Sequence, residues 1–206
     1  MIKGHDRHLI AILRGITPEE AVAVSEALVC AGIFSIEVPL NSPQPLDSIR
    51  TAAKALEGRA AVGAGTVLNE DQVDAVAGVS GTFIVSPDCN EAVITRTRAR
   101  GLRSYPGVFS PTEAFRAIKA GAHGLKFFPA EVLGAAGIKA MKAVLPPEMP
   151  LYAVGGANPD NFAEFLAAGC TGFGIGSYLY KPGMTVAEVA ARAHKLVAVY
   201  DRAKTQ

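Results

Sequence analysis

Crossing a bilayer as a helix takes roughly 18 or more consecutive apolar residues, and this sequence has no such run. Neither sign of charge predominates. Lys and Arg number 20 against 19 Asp and Glu, so there is no basic surplus of the kind that binds nucleic acid or an anionic membrane. Cysteine is scarce: Cys30, Cys89 and Cys170 lie far apart with no C-x-x-C pair, which fits reduced thiols in a cytoplasm. The opening Met1-Ile2-Lys3-Gly4-His5-Asp6-Arg7-His8 leads into only five apolar residues, too few for the central region of a signal peptide. What the chain does have is apolar bulk. Of its 206 residues 50% are hydrophobic and 19% charged, which excludes disorder and gives one domain enough material for a sizeable core.

The 21 glycines and 13 prolines recur at intervals rather than in a tract. They punctuate a repeated unit: a short β-prone run, a helix-starting turn, an Ala-rich helix, then Gly. The runs begin near Leu9, Ser35, Ala60, Thr82, Arg103, Gly124, Leu151 and Gly172, spaced about as closely as a strand, a helix and two tight loops allow. Thr17-Pro18-Glu19-Glu20 and Ser110-Pro111-Thr112-Glu113 combine a capping hydroxyl, Pro at the first helical position and a Glu that closes a capping box. Asn158-Pro159-Asp160-Asn161 reads as a variant with Asn158 as cap. Gly32, Gly101, Gly121 and Gly169 stand where a left-handed residue ends a helix.

Eight strand–helix units predict a closed parallel (β/α)8 barrel, the TIM-barrel architecture, over residues 1–206, with residues 1–8 preceding the first strand. An open doubly wound sheet is the alternative, but no G-x-G-x-x-G follows the first strand.

In such a barrel chemistry lies at the carboxyl ends of the strands, and alternation decides which side chains face inward. Ile36, Val38 and Leu40 make one apolar face, so Glu37, Pro39 and Asn41 point into the barrel. Leu125 and Phe127 point out, leaving Lys126 and Phe128 inside; Arg14 shares a face with Ile10 and Ile12 at the end of the first strand. An inward carboxylate and lysine are costly unless paired. They form either a structural ion pair or a catalytic couple, in which a desolvated lysine of lowered pKa attacks a carbonyl and the carboxylate moves protons.

Val154-Gly155-Gly156-Ala157-Asn158 and Gly174-Ile175-Gly176-Ser177 end the last two strands, where such barrels often hold phosphate on backbone N–H groups. Tight turns alone would also explain the glycines. Gly63-Ala64-Gly65-Thr66 leaves room near the barrel mouth and offers the Thr66 hydroxyl, while Pro87 and Pro106-Gly107 shape the wall. His5 and His8 lack acidic or cysteine partners and read as a solvated segment rather than metal ligands. His123 falls at the amino end of its strand, and His194 reads as surface.

Five motifs in order carry a resemblance: Leu13-Arg14-Gly15-Ile16, Ile36-Glu37-Val38-Pro39-Leu40-Asn41-Ser42-Pro43, Val62-Gly63-Ala64-Gly65-Thr66-Val67-Leu68, Leu125-Lys126-Phe127-Phe128-Pro129-Ala130 and Ala153-Val154-Gly155-Gly156. From about Leu9 to Tyr200 the chain resembles the class I aldolases of the KDPG/KHG type, which cleave 2-keto-3-deoxy-6-phosphosugar acids. The resemblance implies a (β/α)8 barrel, commonly a cytoplasmic homotrimer, that releases pyruvate and glyceraldehyde 3-phosphate without metal or organic cofactor. It implies Lys126 as the Schiff-base residue and Glu37 as general acid/base. Thr66 would contact the keto-acid end, Phe128 would pack beside the imine, and Gly155, Gly156, Gly176 and Ser177 would hold the phosphate.

Two epimeric substrates divide the family. Its gluconate branch carries Leu-Arg-Thr after the catalytic Glu and a Thr before the Gly-Gly pair; this chain has Leu40-Asn41-Ser42 and Val154 there. Both departures, with the Leu-Arg-Gly-Ile opening, resemble the galactonate branch. The resemblance then implies cleavage of 2-dehydro-3-deoxy-6-phosphogalactonate, with Arg14 replacing the missing arginine as partner of the substrate carboxylate. A phosphosugar isomerase or epimerase using Glu37 as base, and a non-catalytic phosphosugar binder, are the readings from other classes.

Overall fold

The computed structural model describes residues 7–205, so the expectation for His5 lies outside the described residues. Strands and helices alternate: β1 (Leu9–Ile12), α1 (Pro18–Ala31), β2 (Ser35–Pro39), α2 (Pro45–Ala55), β3 (Ala61–Gly65), α3 (Glu70–Gly78), β4 (Phe83–Val85), α4 (Glu91–Ala99), β5 (Arg103–Tyr105), β6 (Gly107–Val108), α5 (Pro111–Lys119), β7 (Leu125–Phe127), α6 (Ala130–Lys142), β8 (Leu151–Val154), α7 (Phe162–Ala167), β9 (Gly172–Ile175) and α8 (Val186–Lys204).

The sheet runs β5-β4-β3-β2-β1-β9-β8-β7-β6, and every pairing is parallel. Nine segments stand where eight strands are expected because Pro106 divides the fifth. Proline has no N–H to give a ladder, so β5 pairs with β4, β6 pairs with β7, and the ring is joined through the chain between them. The Pro106 carbonyl still accepts the Lys126 N–H at 2.9 Å.

Alternation sorts the core into two layers. Ile36, Val38, Leu125, Phe127 and Phe173 pack outward beneath the helices. Ile10, Ile12, Phe83, Val85, Tyr152 and Val154 fill the barrel. Opposite Phe83 the interior positions of β3 are Gly63 and Gly65, which compensate for ring volume. A Cβ at Gly63 would lie 2.3 Å from the Phe83 carbonyl oxygen and 2.6 Å from its ring.

The Ser110 capping box forms as the sequence specifies, with Glu113 accepting the Ser110 N–H at 2.8 Å. Gly32, Gly101, Gly121 and Gly169 all adopt positive φ. The Asn158 cap does not form. Asn158 Oδ1 accepts from the Asp160 N–H at 2.9 Å in a local turn, and α7 begins only after Asn161. A side chain that can bond its own backbone two residues on competes with helix initiation.

His8 also departs from expectation: its Nδ1 is 3.0 Å from the Tyr152 hydroxyl at the barrel's amino end, while Arg7 pairs with Asp201 of α8 at 2.7 Å. His123 accepts the Ser104 N–H at that same end, and His194 is exposed. The cysteines are free; burial pushes the Cys170 thiol up to about 12. No helix among the described residues is long and apolar enough to cross a membrane.

Close packing at Gly63 and open space at Gly78 make opposite predictions. Gly63→Ala should lower unfolding free energy by roughly 1–3 kcal/mol through overpacking. Gly78 is exposed in α3 with nothing near a new Cβ, so Gly78→Ala should raise it by about 0.5 kcal/mol. Denaturant titration of both variants checks this; a Gly63→Ala protein as stable as wild type would contradict the packing.

Candidate active site

The carboxyl ends of the strands surround a cavity of about 870 Å³. Lys126 reaches it from β7, its backbone pinned between neighbouring strands at Gly107 and Tyr152. Glu37 reaches it from β2, across the barrel by way of β1, β9 and β8. Both are almost fully buried, at 6% and 2% exposure. Among the described residues neither makes an ion pair or hydrogen bond through its side chain. Lys126 Nζ instead lies 4.6 Å from the Phe128 ring centroid.

Their titration follows from that arrangement. Desolvation lowers the Lys126 pKa; Glu37 opposes the shift and Arg14 adds to it. Desolvation raises the Glu37 carboxyl, against the pull of Lys126 and Arg14. The pair can therefore hold an uncharged amine and a carboxyl able to exchange protons, which a contact ion pair would suppress.

Glycine makes room for the carboxylate. A Cβ on Gly65 would fall 1.7 Å from Glu37 Oε1, so the β3 glycine is the space into which Glu37 folds. Arg14 lies on the cavity wall two residues past β1, and its Nη1 donates to Asn41 Oδ1 at 2.6 Å. The Gly15 N–H donates to Ser42 Oγ at 2.9 Å, tying the same two loops together.

At the far end Val154, Gly155, Gly156, Gly176 and Ser177 line the cavity, with Gly155 and Gly156 at φ 91 and 73. Positive φ turns successive backbone groups toward one concavity, an arrangement suited to an anion. Thr66 and Pro87 stand outside this lining, and Asn41 enters only through its hold on Arg14. Among the described residues no three His, Cys, Asp or Glu side chains gather closely enough to hold a metal ion.

Several lining residues are not among those singled out from the sequence. Glu131 stands at the first turn of α6, where a Cβ on Gly156 would be 2.5 Å from its Oε2. Tyr178, Tyr180 and Lys181 follow Ser177 in the loop after β9. Arg192 comes in from α8 and donates to the Tyr178 carbonyl at 2.7 Å. Strand parity cannot reach a helix residue. The loop after Ser177, however, carries a basic residue within four positions, a signal available to a reader seeking anion ligands.

The family model "KDPG and KHG aldolase" matches residues 3–196. A "Probable 2-dehydro-3-deoxy-6-phosphogalactonate aldolase" of Rhizobium meliloti (strain 1021) is 52% identical over 95% of this chain and 92% of its own length. A "2-dehydro-3-deoxy-6-phosphogalactonate aldolase" of Escherichia coli (strain K12) is 47% identical over 95% of each. A solved structure described as "Native KDPGal structure" superposes with a TM-score of 0.95 at 46% identity, covering 96% of both chains. With an inward lysine and carboxylate facing one cavity of a parallel barrel, the chain belongs to the KDPG and KHG aldolase family and is a carbon–carbon lyase.

Proposed function

We propose that this enzyme cleaves 2-dehydro-3-deoxy-6-phosphogalactonate to pyruvate and D-glyceraldehyde 3-phosphate through a Schiff base on Lys126. The carrying observation is a buried lysine and a buried carboxyl group that face one cavity without a side-chain bond among the described residues, each shifted by burial toward its uncharged form. The names of the relatives at 52% and 47% identity support the galactonate assignment.

On this reading uncharged Lys126 Nζ attacks the C2 carbonyl, and Glu37 passes protons as carbinolamine loses water to become the imine. Glu37 then takes the C4 hydroxyl proton. The C4–O electrons form the aldehyde, the C3–C4 bond breaks, and its pair flows into the protonated imine to give the enamine of pyruvate. Protonation at C3 and hydrolysis return the free lysine. No metal or organic cofactor enters this sequence.

Arg14, steadied by Asn41, is the cation for the substrate carboxylate. Phe128 packs beside the imine, and the turns at Gly155, Gly156, Gly176 and Ser177 take the phosphate. Val154 presents methyl groups where a threonine would offer a hydroxyl to the substrate. We further propose a cytoplasmic homotrimer; exposed Leu68, Phe109, Phe115 and Val132 provide apolar surface for assembly.

Incubation with pyruvate and borohydride should fix the three-carbon unit on Lys126, and Lys126→Ala should abolish both adduct and cleavage. An adduct-free wild type that interconverts phosphosugars would favour the isomerase reading.

The pH profile has a definite sign. Imine formation needs the neutral amine, so the trapping rate rises with pH through the lowered pKa of Lys126. Glu37→Gln removes a charge that holds that pKa up, so the rising limb should move to lower pH. Arg14→Gln removes one that holds it down, so the limb should move to higher pH. Unshifted limbs in both variants would refute the coupling.

Comparing kcat/KM for the two epimers should show a galactonate preference. Val154→Thr should narrow it about fivefold, the worth of one hydrogen bond of about 1 kcal/mol. A wild-type preference for the gluconate form would overturn the assignment.

A further inference from the structure

Among the described residues three charged side chains occupy strand positions that face the barrel interior. Glu37 and Lys126 belong to the upper cavity. Arg103, at the start of β5, does not: it shares its face with Tyr105 and opens on a separate cavity of about 250 Å³ at the amino-terminal mouth.

The Tyr105 ring is part-exposed at this cavity, and buried Phe83 and Tyr152 back it. Phe83 and Tyr105 meet edge to face at 6.1 Å, and Tyr105 and Tyr152 at 5.4 Å. The Arg103 guanidinium lies 6.0 Å from the Phe83 ring centroid, and among the described residues it makes no ion pair or hydrogen bond. The arginines around it are neutralised, Arg7 by Asp201 and Arg59 by Glu26, each at 2.7 Å. No described Asp or Glu lines this cavity or the adjoining depression of about 300 Å³ that shares Arg7, Ser35 and Arg103 with it.

An exposed guanidinium beside the Tyr105 ring, with no described carboxylate lining the cavity, presents complementary surfaces for one kind of guest. Its planar fork matches a carboxylate or phosphate in bidentate fashion, and the part-exposed Tyr105 ring accepts a flat apolar body edge to face. Inorganic anions would use only the first of these features.

We propose that the amino-terminal mouth of the barrel is a second ligand site, for a small organic anion that carries an aromatic ring, with Arg103 as its anchor and the part-exposed Tyr105 ring, held in place by buried Phe83 and Tyr152, as its wall. The site stands independently of the chemistry at the opposite end. Because Arg103 is exposed, binding should weaken as salt rises.

Titration calorimetry with phenyl phosphate as the probe, and inorganic phosphate as the ringless control, tests the proposal. Wild type should bind phenyl phosphate in the millimolar range or tighter. Arg103→Ala should weaken it at least about tenfold, the loss of one charge-assisted contact, while leaving aldol cleavage unchanged. Inorganic phosphate should bind wild type at least about tenfold more weakly than phenyl phosphate. Equal affinity in wild type and Arg103→Ala would assign the probe to the upper phosphate end and overturn the proposal. So would equal affinity for the two probes, or no binding of phenyl phosphate by wild type.

Discussion

Removing an ammonium and a carboxylate from water costs several kcal/mol per ion, and direct pairing is the usual compensation. In this barrel Lys126 and Glu37 lie on strands separated by three others, and they line one cavity without a hydrogen bond or ion pair between them. The separation leaves each group partly uncompensated, which is why burial dominates both shifts and drives them toward neutrality. Arg14 reinforces the lysine's shift from the rim. Much of the surrounding architecture keeps this unsatisfied pair in place.

The supports are chiefly matters of volume and backbone. Gly65 leaves the space that Glu37 fills, and Gly63 one register position earlier on the interior face accommodates Phe83. Pro106 interrupts a strand, yet its carbonyl holds the Lys126 N–H, so the backbone beneath the amine is fixed where the sheet is weakest. Asn41 restrains Arg14, whose exposed guanidinium would otherwise sample many rotamers. None of these residues needs to react. Each limits where the reacting groups can be.

The fold was legible because its signals are local. Capping boxes, terminal glycines and two-residue alternation are written within a few positions of where they act, and they placed Glu37 and Lys126 inside and Ile36, Val38, Leu125 and Phe127 outside. At Asn158 two local bonding patterns compete for the same side chain, and the turn prevails over the cap. The division of the fifth strand at Pro106 is not local, because it depends on which neighbour each half pairs with. His8 looked solvated because its partner Tyr152 lies far along the chain. Glu131, Tyr180 and Arg192 were invisible for the same reason: they reach the cavity from helices and loops whose approach depends on packing, not on period.

The cavity wall contains Arg14, contributed just after the first strand, and Arg192, contributed by the last helix. That helix also packs along α1 and anchors Arg7 through Asp201. A ribosome extruding this polypeptide would therefore expose most strands before any complete pocket exists. The pocket closes only when α8 docks against α1, so a chain cut short before α8 would leave Lys126 more hydrated and its amine closer to an ordinary charged lysine.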